Sequence, residues 1–310
     1  MTTLDDLLEK TSRTFALSIP RLPPPTRQEV TIAYLLFRIA DTFEDAVLWS
    51  PRQRIEALEK FSGLLHDPDA SVAERLALNW TTQAPLAHPG YLELVGSTAA
   101  VIAAFGDLAP AARQSIVLHV TRSARGMAEF VSRTENGTLE LDSLSDLRAY
   151  CYVVAGIVGE MLCDLFLLER PALAGVAESL RASASAFGEG LQLVNILKDS
   201  ASDRKEGRSY LPAGVNRDEV FQLARRDLVA ASEYVRTLQR AGAPRGIVEF
   251  TALPVQLAWA SLERIEKSGP GSKVSRPEVF RIVARLKWAL DRGEPAVPEP
   301  SPEPAVIRKG

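Results

Sequence analysis

Apolar residues along this chain recur mostly at intervals of three and four, which is the spacing of one face of an α-helix. The pattern predicts helices along nearly the whole chain, separated by proline, glycine and short polar turns. No segment alternates between apolar and polar residues as a half-buried strand does, and no fixed-length repeat appears. The pattern therefore predicts an all-α protein.

Start and stop signals give approximate bounds for these helices. Ser50-Pro51, for example, is typical of a helix cap followed by a first-turn proline. After a short N-terminal amphipathic helix and the helix around residues 34–45, the expected helices run over residues 51–65, 71–80, 91–105, 110–127, 147–168, 171–187, 188–202, 217–241, 246–267 and 276–292. We expect one all-α domain over residues 1–292 and a disordered Pro/Glu-rich tail over residues 293–310.

One predicted helix carries a row of polar residues through a strongly apolar segment. Tyr34, Arg38, Asp41 and Asp45 follow one another at steps of four, three and four, so they share one face of the helix. On a single helix, two acids one turn apart are more commonly a solvated face. Here the surrounding residues are Leu, Ile and Phe, so the acids need a neutralising partner.

A second row of the same kind lies far downstream. Gln192, Asn195, Asp199 and Asp203 are spaced three, four and four, again within an apolar run. Carboxylate and amide oxygens are ligands that Mg²⁺ accepts, usually together with phosphates of a substrate. If both rows face one cavity, they predict a site for divalent cations that hold a polyanion.

Basic and aromatic side chains near these rows fit the same interpretation. Arg38, Lys198 and Arg208 are placed to bind phosphate oxygens. Arg38 pairing with an acid of its own helix, and Lys198 as a surface lysine, remain alternatives. The stretch from Tyr150 to Gly159 contains Tyr150 and Tyr152, which offer a phenol for proton transfer or a ring face for a cation, although core tyrosines are more common.

Composition narrows the choice of partners. The chain has 310 residues, 46% of them hydrophobic and 24% charged, with a net charge of −3, so nucleic acid is not an expected partner. Cys151 and Cys163 are expected to be reduced core residues. The histidines show no zinc spacing. The longest nearly uncharged run, near residues 94–105, is shorter than the roughly 20 residues that span a bilayer. We expect a cytoplasmic protein, with peripheral membrane contact as an open alternative.

Four blocks of the sequence, taken together, resemble the signature blocks of squalene and phytoene synthases. They are Ser12-Arg13-Thr14-Phe15, Asp41-Thr42-Phe43-Glu44-Asp45, Tyr150 to Gly159, and Leu191 to Asp199 with Asp203, Gly207-Arg208 and Tyr210-Leu211-Pro212. The resemblance implies a single-domain isoprenoid-synthase-type helical bundle around a central cavity. It also implies a prenyltransferase that joins two prenyl diphosphates head to head with Mg²⁺.

The resemblance assigns expected roles by position. The metal-binding acids would be Asp41, Glu44, Asp45, Asp199 and Asp203. The substrate-binding residues would be Arg13, Thr14, Phe15, Gln192, Asn195, Lys198 and Arg208. The catalytic residues would be Tyr150, Tyr34 and Arg38. Lys273, in Lys273-Val274-Ser275-Arg276, resembles part of the NADPH-binding segment of squalene synthases. Two residues depart from the family pattern, Ser202 where an acid is usual and Lys198 where arginine is common.

The Asp-Thr-Phe-Glu-Asp form of the first acidic block, with the preceding Arg-Ile-Ala, is more like that of squalene synthases than that of phytoene or dehydrosqualene synthases. The sequence shows no membrane anchor like that of eukaryotic squalene synthases, so we expect the chain to resemble a soluble bacterial squalene synthase (farnesyl-diphosphate farnesyltransferase). The leading hypothesis is therefore conversion of two farnesyl diphosphates, through presqualene diphosphate, to squalene with NADPH. Synthesis of presqualene diphosphate, dehydrosqualene or phytoene without NADPH is a second hypothesis. A non-catalytic assembly or lipid-binding family member is a third. Prenyl chain length and oligomeric state are left open.

Overall fold

The computed structural model describes residues 2–12, 14–134, 139–205 and 208–298, without the side chains of 201–208. Within these ranges the chain is almost entirely helical, as its apolar spacing predicts. The helices are α1 (Leu4–Thr11), α2 (Phe15–Ser18), α3 (Thr26–Glu44), α4 (Pro51–His66), α5 (Ala70–Thr82), α6 (Pro89–Gly96), α7 (Thr98–Gly106), α8 (Pro110–Ser132), α9 (Leu144–Cys151), α10 (Ile157–Glu169), α11 (Ala177–Lys205), α12 (Arg217–Arg240), α13 (Arg245–Ser268) and α14 (Arg276–Asp291).

Shorter elements connect these helices. The segments Ile19–Arg21 and Pro171–Val176 are 3₁₀ turns, and Tyr152–Gly156 is a π-helical segment that joins α9 to α10. Two strands of two residues, β1 (Leu139–Glu140) and β2 (Arg208–Ser209), pair in parallel. The sequence pattern does not reveal this pairing because two residues are too few to show alternation.

Several helix starts confirm the local signals. Ser50 caps α4 by accepting a hydrogen bond from the backbone of Gln53, and Pro51 occupies the first turn. Asp69 caps α5 and Asn216 caps α12 in the same manner. These caps satisfy backbone N–H groups that the first turn of a helix leaves unpaired.

The predicted break between residues 187 and 188 is wrong, because α11 runs through it. Gly188 does not end a helix; it allows a close helix crossing. A Cβ atom on Gly188 would lie 1.9 Å from the carbonyl oxygen of Ala155, and one on Gly159 would lie 2.0 Å from that of Ala184. Glycine in a helix costs about 1 kcal/mol relative to alanine. Here that cost is offset by the close packing of the two helical backbones, which a Cβ atom at Gly159 or Gly188 would prevent.

Two other predicted helices differ from the structure. The helix expected over residues 91–105 is divided at Ser97 into α6 and α7, and the backbone of Ser97 continues the hydrogen bonding of α6. The helix expected over residues 147–168 begins at Leu144 and contains the π-helical segment. A π-helical turn inserts one extra residue into the helix, and apolar spacing does not show it.

The core is built around α3. Ile32, Leu35, Leu36, Ile39 and Phe43 on this helix are essentially inaccessible to solvent. Each such side chain contributes about 1.5–3 kcal/mol by leaving water. Although α3 is buried on most of its circumference, its polar row keeps some contact with solvent, and the side chains of Arg38 and Asp41 are 27% and 26% exposed.

The predicted tail begins too early. Ala296 and Val297 are each 1% exposed. Gln239 holds this segment with two hydrogen bonds of 2.8 Å, to the carbonyl of Glu294 and from the amide of Ala296. Residues 294–297 therefore pack against α12, because their backbone finds polar partners there. The prediction of a disordered tail for residues 299–310 lies outside the described residues.

One continuous helix in the described part of the chain, residues 144–169, is long and apolar enough to cross a membrane by length and composition alone. The expectation drawn from residues 94–105 overlooked it. Half of the most apolar stretch of this helix is buried inside the fold, where it packs against α8 and α11. In the described part of the chain this segment is a core helix.

Candidate active site

The structure brings three residues of each polar row to one cavity of about 330 Å³: Arg38, Asp41 and the C-cap residue Asp45 from α3, and Gln192, Asn195 and Asp199 from α11. We call it the first cavity. Its wall is formed by Arg38, Asp41, Glu44, Asp45, Tyr150, Val154, Gln192, Asn195, Ile196, Asp199 and Tyr210. The side chains from α3 and from α11 are separated by about 150 residues in the chain, so their convergence is a result of the fold.

The end of α3 fixes the position of the first acidic row. Phe43, one residue before Glu44, stacks on Trp49 at 6.0 Å and lies 4.6 Å from the ring of Trp80. The carbonyl of Glu44 accepts a hydrogen bond from Arg54, and the Glu44 side chain is 4% exposed. The helix terminus is therefore anchored from behind while its acids line the first cavity.

Arg38 is held among rings and a carboxylate. Its guanidinium lies 5.5–5.7 Å from the ring centres of Tyr34 and Tyr91, and its Nη1 is 3.3 Å from Asp41 Oδ2. Burial disfavours the charged form, but Asp41, Tyr34 and Tyr91 outweigh it, so the pKa of Arg38 lies above its ordinary value. The pairing within α3, given above as an alternative, is present, and it keeps a permanent positive charge in the cavity wall.

Asp41 lies where negative charge is crowded. Burial raises the pKa of its carboxyl to about 6; Arg38 opposes this rise and Asp45 adds to it. A buried carboxylate next to a second one is stabilised by a cation. The donors at the cavity, carboxylates with amide oxygens of Gln192 and Asn195, are the hard oxygen ligands that suit Mg²⁺.

The acids nevertheless do not form a ready-made metal cage. Among the described residues no three His, Cys, Asp or Glu side chains come close enough to hold one ion. The side chain of Asp203 lies outside the described residues. The donor set therefore fits Mg²⁺ in the form in which the protein supplies a few carboxylates per ion and a phosphorylated substrate supplies other ligands.

On α11, Lys198 bridges the polar row. Its Nζ donates to Asn195 Oδ1 at 2.9 Å and lies 3.2 Å from Asp199 Oδ2. The side chain of Lys198 is 23% exposed, so it is not a freely solvated surface lysine. Lys198 thus places a second cation close to the acids, with Gln192 one turn further along the wall.

Tyr150 closes the apolar side of the first cavity. Its ring stacks on Tyr210 at 4.7 Å and meets the edge of Phe130 at 5.2 Å. Burial raises the pKa of the Tyr150 phenol well above its ordinary value, and the nearby acid Glu44 adds to the effect. The phenol is therefore protonated at any physiological pH. Tyr210 was not predicted as a site residue, although it stands in the last of the four sequence blocks.

A second cavity, of about 340 Å³, adjoins the first, and Asp199 lines both. Its wall is formed by Thr14, Lys198, Asp199, Leu257, Ser261, Lys273, Val274 and Val279. The loop that carries Lys273 is tied to α11, because the backbone N–H of Gly271 donates to the carbonyl of Lys198 at 2.7 Å. Gly271 has φ of +82°, which favours glycine at this turn.

Other predicted site residues lie beside the cavities or outside the described part. The hydroxyl of Tyr34 donates to the carbonyl of Thr11 at 2.9 Å, and its ring supports Arg38. Phe15 packs between Tyr34 and Phe250, with ring centres 5.7 and 6.4 Å away. The side chains of Arg13 and Arg208 lie outside the described residues, like that of Asp203.

A polar network that the sequence pattern does not predict holds the π-helical segment in place. Tyr152 donates to Glu160 at 3.0 Å and accepts from Arg122 at 2.6 Å. Ser123 donates to the carbonyl of Val153 at 2.7 Å. Tyr152 is therefore a structural residue, whereas Val154, two positions on, lines the first cavity. Cys151 and Cys163 are free and buried, as expected.

Comparison with known proteins identifies the family of the chain. Residues 8–221 match the family model for squalene/phytoene synthase. The squalene synthase of Rattus norvegicus is 31% identical over 209 residues, covering 67% of this chain and 45% of that protein. The squalene synthase of Eremothecium gossypii is 29% identical over 207 residues, covering 66% of this chain and 44% of that protein. The match thus spans less than half the length of these relatives.

A solved structure shares the fold over most of the chain. The complex of TcSQS with the ligand BPH1237 superposes with a TM-score of 0.73 at 24% identity, covering 94% of this chain and 88% of that chain. This likeness concerns the fold, while the family model covers more than two thirds of the sequence, including both polar rows. The chain therefore belongs to the squalene/phytoene synthase family.

Proposed function

We propose that this protein condenses two molecules of farnesyl diphosphate head to head, through presqualene diphosphate, and reduces the product with NADPH to squalene. The observation that carries the proposal is the meeting of Asp41 and Asp199 at one cavity. Two acidic helices with nearby cations suit a diphosphate held by Mg²⁺. The squalene/phytoene synthase family model matches residues 8–221, a range that includes both helices.

The residues that would hold Mg²⁺ are Asp41, Glu44 and Asp45 on one side and Asp199 on the other, with Asp203 proposed by sequence position. Bound Mg²⁺ supplies positive charge that stabilises a departing diphosphate. Arg38 and Lys198 supply fixed positive charge from the protein itself. Because Arg38 is pinned between rings and Asp41, its guanidinium needs little reorganisation to meet an anionic group.

The apolar part of the first cavity would protect a reactive cation from water. Val154, Ile196 and the stacked pair Tyr150–Tyr210 provide aliphatic and aromatic surface there. A ring face stabilises a nearby cation, and exclusion of water prevents its premature capture. Burial raises the pKa of Tyr150 and keeps its phenol neutral, so its O–H proton is present to donate a hydrogen bond to a leaving oxygen.

The second cavity is the proposed location of NADPH. Lys198 and Lys273 give it positive charge for phosphate groups, while Leu257, Val274 and Val279 give it apolar surface. Its contact with the first cavity at Asp199 puts a reductant next to the place of condensation. The positive charge of the cavity wall supports this assignment, and substitution of Lys273 tests it.

The test is incubation of the purified full chain with farnesyl diphosphate and Mg²⁺, with and without NADPH, followed by chromatography of extracted products. Squalene that forms only with NADPH supports the proposal. A cyclopropyl diphosphate under both conditions, or dehydrosqualene, replaces it by an NADPH-independent synthase. Phytoene from geranylgeranyl diphosphate would identify a longer-chain enzyme, and no turnover of either substrate would favour a non-catalytic family member.

A matched pair of variants connects the activity with the site. Asp41→Asn keeps the size of the side chain but removes a metal-binding charge, so we expect product formation to fall by about 10²-fold or more. Asp67→Asn changes an exposed aspartate at the end of α4 and should leave turnover unchanged. Equal activity in the two variants would refute the assignment of the acidic cavity.

A further inference from the structure

Helix α14 exposes two large aromatic side chains on its outer side. Phe280 is 73% exposed and Trp288 is 55% exposed, and they are the only two aromatic residues among the large apolar side chains that the described part of the chain exposes. Pro277 and Ala284 are exposed as well. These four residues follow at steps of three and four, so they form one continuous strip about 16 Å long, which we call the α14 outer face.

Basic residues flank this strip on both sides. Arg281, Arg285 and Arg292 follow one edge, and Arg276 and Lys287 follow the other, by the angular step of about 100° between helical residues. All five are exposed. The arrangement is an apolar strip between two basic edges, whereas the opposite side of the helix packs into the core through Leu286.

The acids of α14 do not cancel this charge. Glu278 is bound to Arg264 at 2.5 Å, and Asp291 is bound to Arg245 at 2.5 Å, so both are paired with arginines of α13. By the same angular step Asp291 lies at the C-terminal end of the apolar strip, where its side chain is 62% exposed. Of the five flanking cations, Arg292 is the one with an ion pair inside the described part of the chain, to Glu294 at 3.0 Å. The outer side of α14 is therefore strongly positive in a protein whose net charge is −3.

We propose that the α14 outer face docks on an anionic lipid bilayer. Aromatic residues partition into the interface between headgroups and acyl chains, and arginine or lysine beside them reaches the lipid phosphates. Cations on both edges of the apolar strip suit an anionic bilayer, because lipid phosphates surround a docked helix on both sides. Trp288 is prepared for this position, because Arg292 lies over its ring at 4.7 Å and presents charge and ring together.

The docking surface is close to the second cavity. Val279, the residue before Phe280, lines that cavity, as does Val274 in the loop leading into α14. Docking would bring the mouth of this cavity near the bilayer. The exposed aromatic side chains and the cations of the α14 outer face would favour an anionic bilayer whichever reaction the protein catalyses.

The test is flotation of the purified full chain with vesicles of neutral phosphatidylcholine or of phosphatidylcholine with about one third phosphatidylglycerol. We expect binding to the anionic vesicles, and weaker binding as salt is raised, because charge screening increases. The double variant Phe280→Ala/Trp288→Ala should lower the partition coefficient at least about tenfold. The double variant Arg281→Gln/Arg285→Gln should lower it about 25-fold, at about fivefold for each cation.

Two control variants match these changes elsewhere on the surface. Leu78→Ala/Leu118→Ala removes apolar side chains that are 69% and 54% exposed on α5 and α8. Arg52→Gln/Arg75→Gln removes two exposed cations on α4 and α5. Neither pair should change vesicle binding by more than about twofold. Circular dichroism of each variant shows that the comparison is made between folded proteins.

A spectroscopic measurement locates the contact. Trp49 and Trp80 are buried, and Trp259 is half-buried with its indole N–H donating to Ser232 at 3.1 Å. A blue shift of tryptophan emission on addition of anionic vesicles should therefore come mainly from the exposed Trp288, and Trp288→Phe should remove most of it. No binding of the full chain, or binding that persists in both α14 variants, would overturn the proposal. It would also be overturned if light scattering showed a dimer that Phe280→Ala/Trp288→Ala dissociates while vesicles remain unbound, since a second copy would then cover the face.

Discussion

Replacement of Gly188 by alanine tests whether the close crossing of α11 and the π-helical segment holds the site together. The added Cβ atom would lie 1.9 Å from the carbonyl oxygen of Ala155, 2.5 Å from its carbonyl carbon and 3.1 Å from the amide nitrogen of Gly156. All three atoms belong to backbone, so no side chain can rotate away. The two helices must separate locally by more than about 1 Å to reach ordinary van der Waals distance.

The expected cost follows from this overlap. Overpacking in a well-filled core costs about 1–3 kcal/mol, and the rigid backbone on both sides favours the upper part of that range. Alanine recovers about 1 kcal/mol of helix propensity relative to glycine. We therefore expect Gly188→Ala to lower the free energy of unfolding by about 2 kcal/mol.

Gly63→Ala provides the matched control. Gly63 lies inside α4, and a Cβ atom there meets nothing within 4 Å, so only the propensity gain applies. This variant should be more stable than the wild type by about 0.5–1 kcal/mol. Urea unfolding followed by circular dichroism measures both changes, provided that the slopes of the transitions agree.

The same variant should affect the site. Ala155 follows Val154, which lines the first cavity, and Gly188 lies one turn before Gln192 on α11. Separation of the two segments would widen the cavity wall, so turnover should fall more than substrate binding. If Gly188→Ala were as stable as Gly63→Ala, the crossing would not be under steric control and the reasoning would be refuted.

Two further predictions concern a buried acid and the second cavity. Glu29 is 2% exposed with one carboxyl oxygen unpaired among the described residues, and burial raises its pKa to about 7, with Glu169 adding to the rise and Arg170 opposing it. Because this pKa is raised, the folded state gains stability as pH falls from about 7 to about 4.5. Glu29→Gln should therefore be more stable than the wild type by up to about 3 kcal/mol above pH 7, with the difference vanishing below pH 4.5; a pH-independent difference in thermal or urea unfolding would contradict the assignment. Lys273→Ala should raise the KM for NADPH about tenfold with little change for farnesyl diphosphate, while Lys267→Ala, at an exposed position of α13, should change neither. An unchanged KM for NADPH in Lys273→Ala steady-state kinetics would remove the second cavity from the proposal.

Much of the fold could be predicted because its signals are local. The caps of α4 and α12 lie within four residues of the helices that they start, and the apolar spacing of α3 is a property of that helix alone. The polar row Arg38, Asp41 and Asp45 is of the same kind, since residues three and four apart share a face in any helix. Such features require no knowledge of what the helix packs against.

The errors concern features decided by distant parts of the chain. Glycine at position 188 has the same local propensity whether it ends a helix or lies in a crossing, and only the backbone of Ala155 distinguishes the two cases. The π-helical segment depends on hydrogen bonds from Arg122 and Ser123 on α8. The role of Tyr210 depends on stacking with Tyr150, 60 positions earlier in the chain.

These two kinds of information meet in α11. Its first half contains Gly188 and Gly190, where a Cβ atom would meet the backbone of Ala155 and, at 3.1 Å, that of Asp227 and Leu228 on α12. Its second half carries Gln192, Asn195 and Asp199 at helical spacing. A helix is nearly rigid over these three turns, so the glycines that fix its approach to its neighbours also fix how far the polar row projects into the first cavity. Packing and catalysis are therefore coupled through one helix, and a substitution at a glycine that touches no substrate should alter the position of Asp199 relative to Asp41.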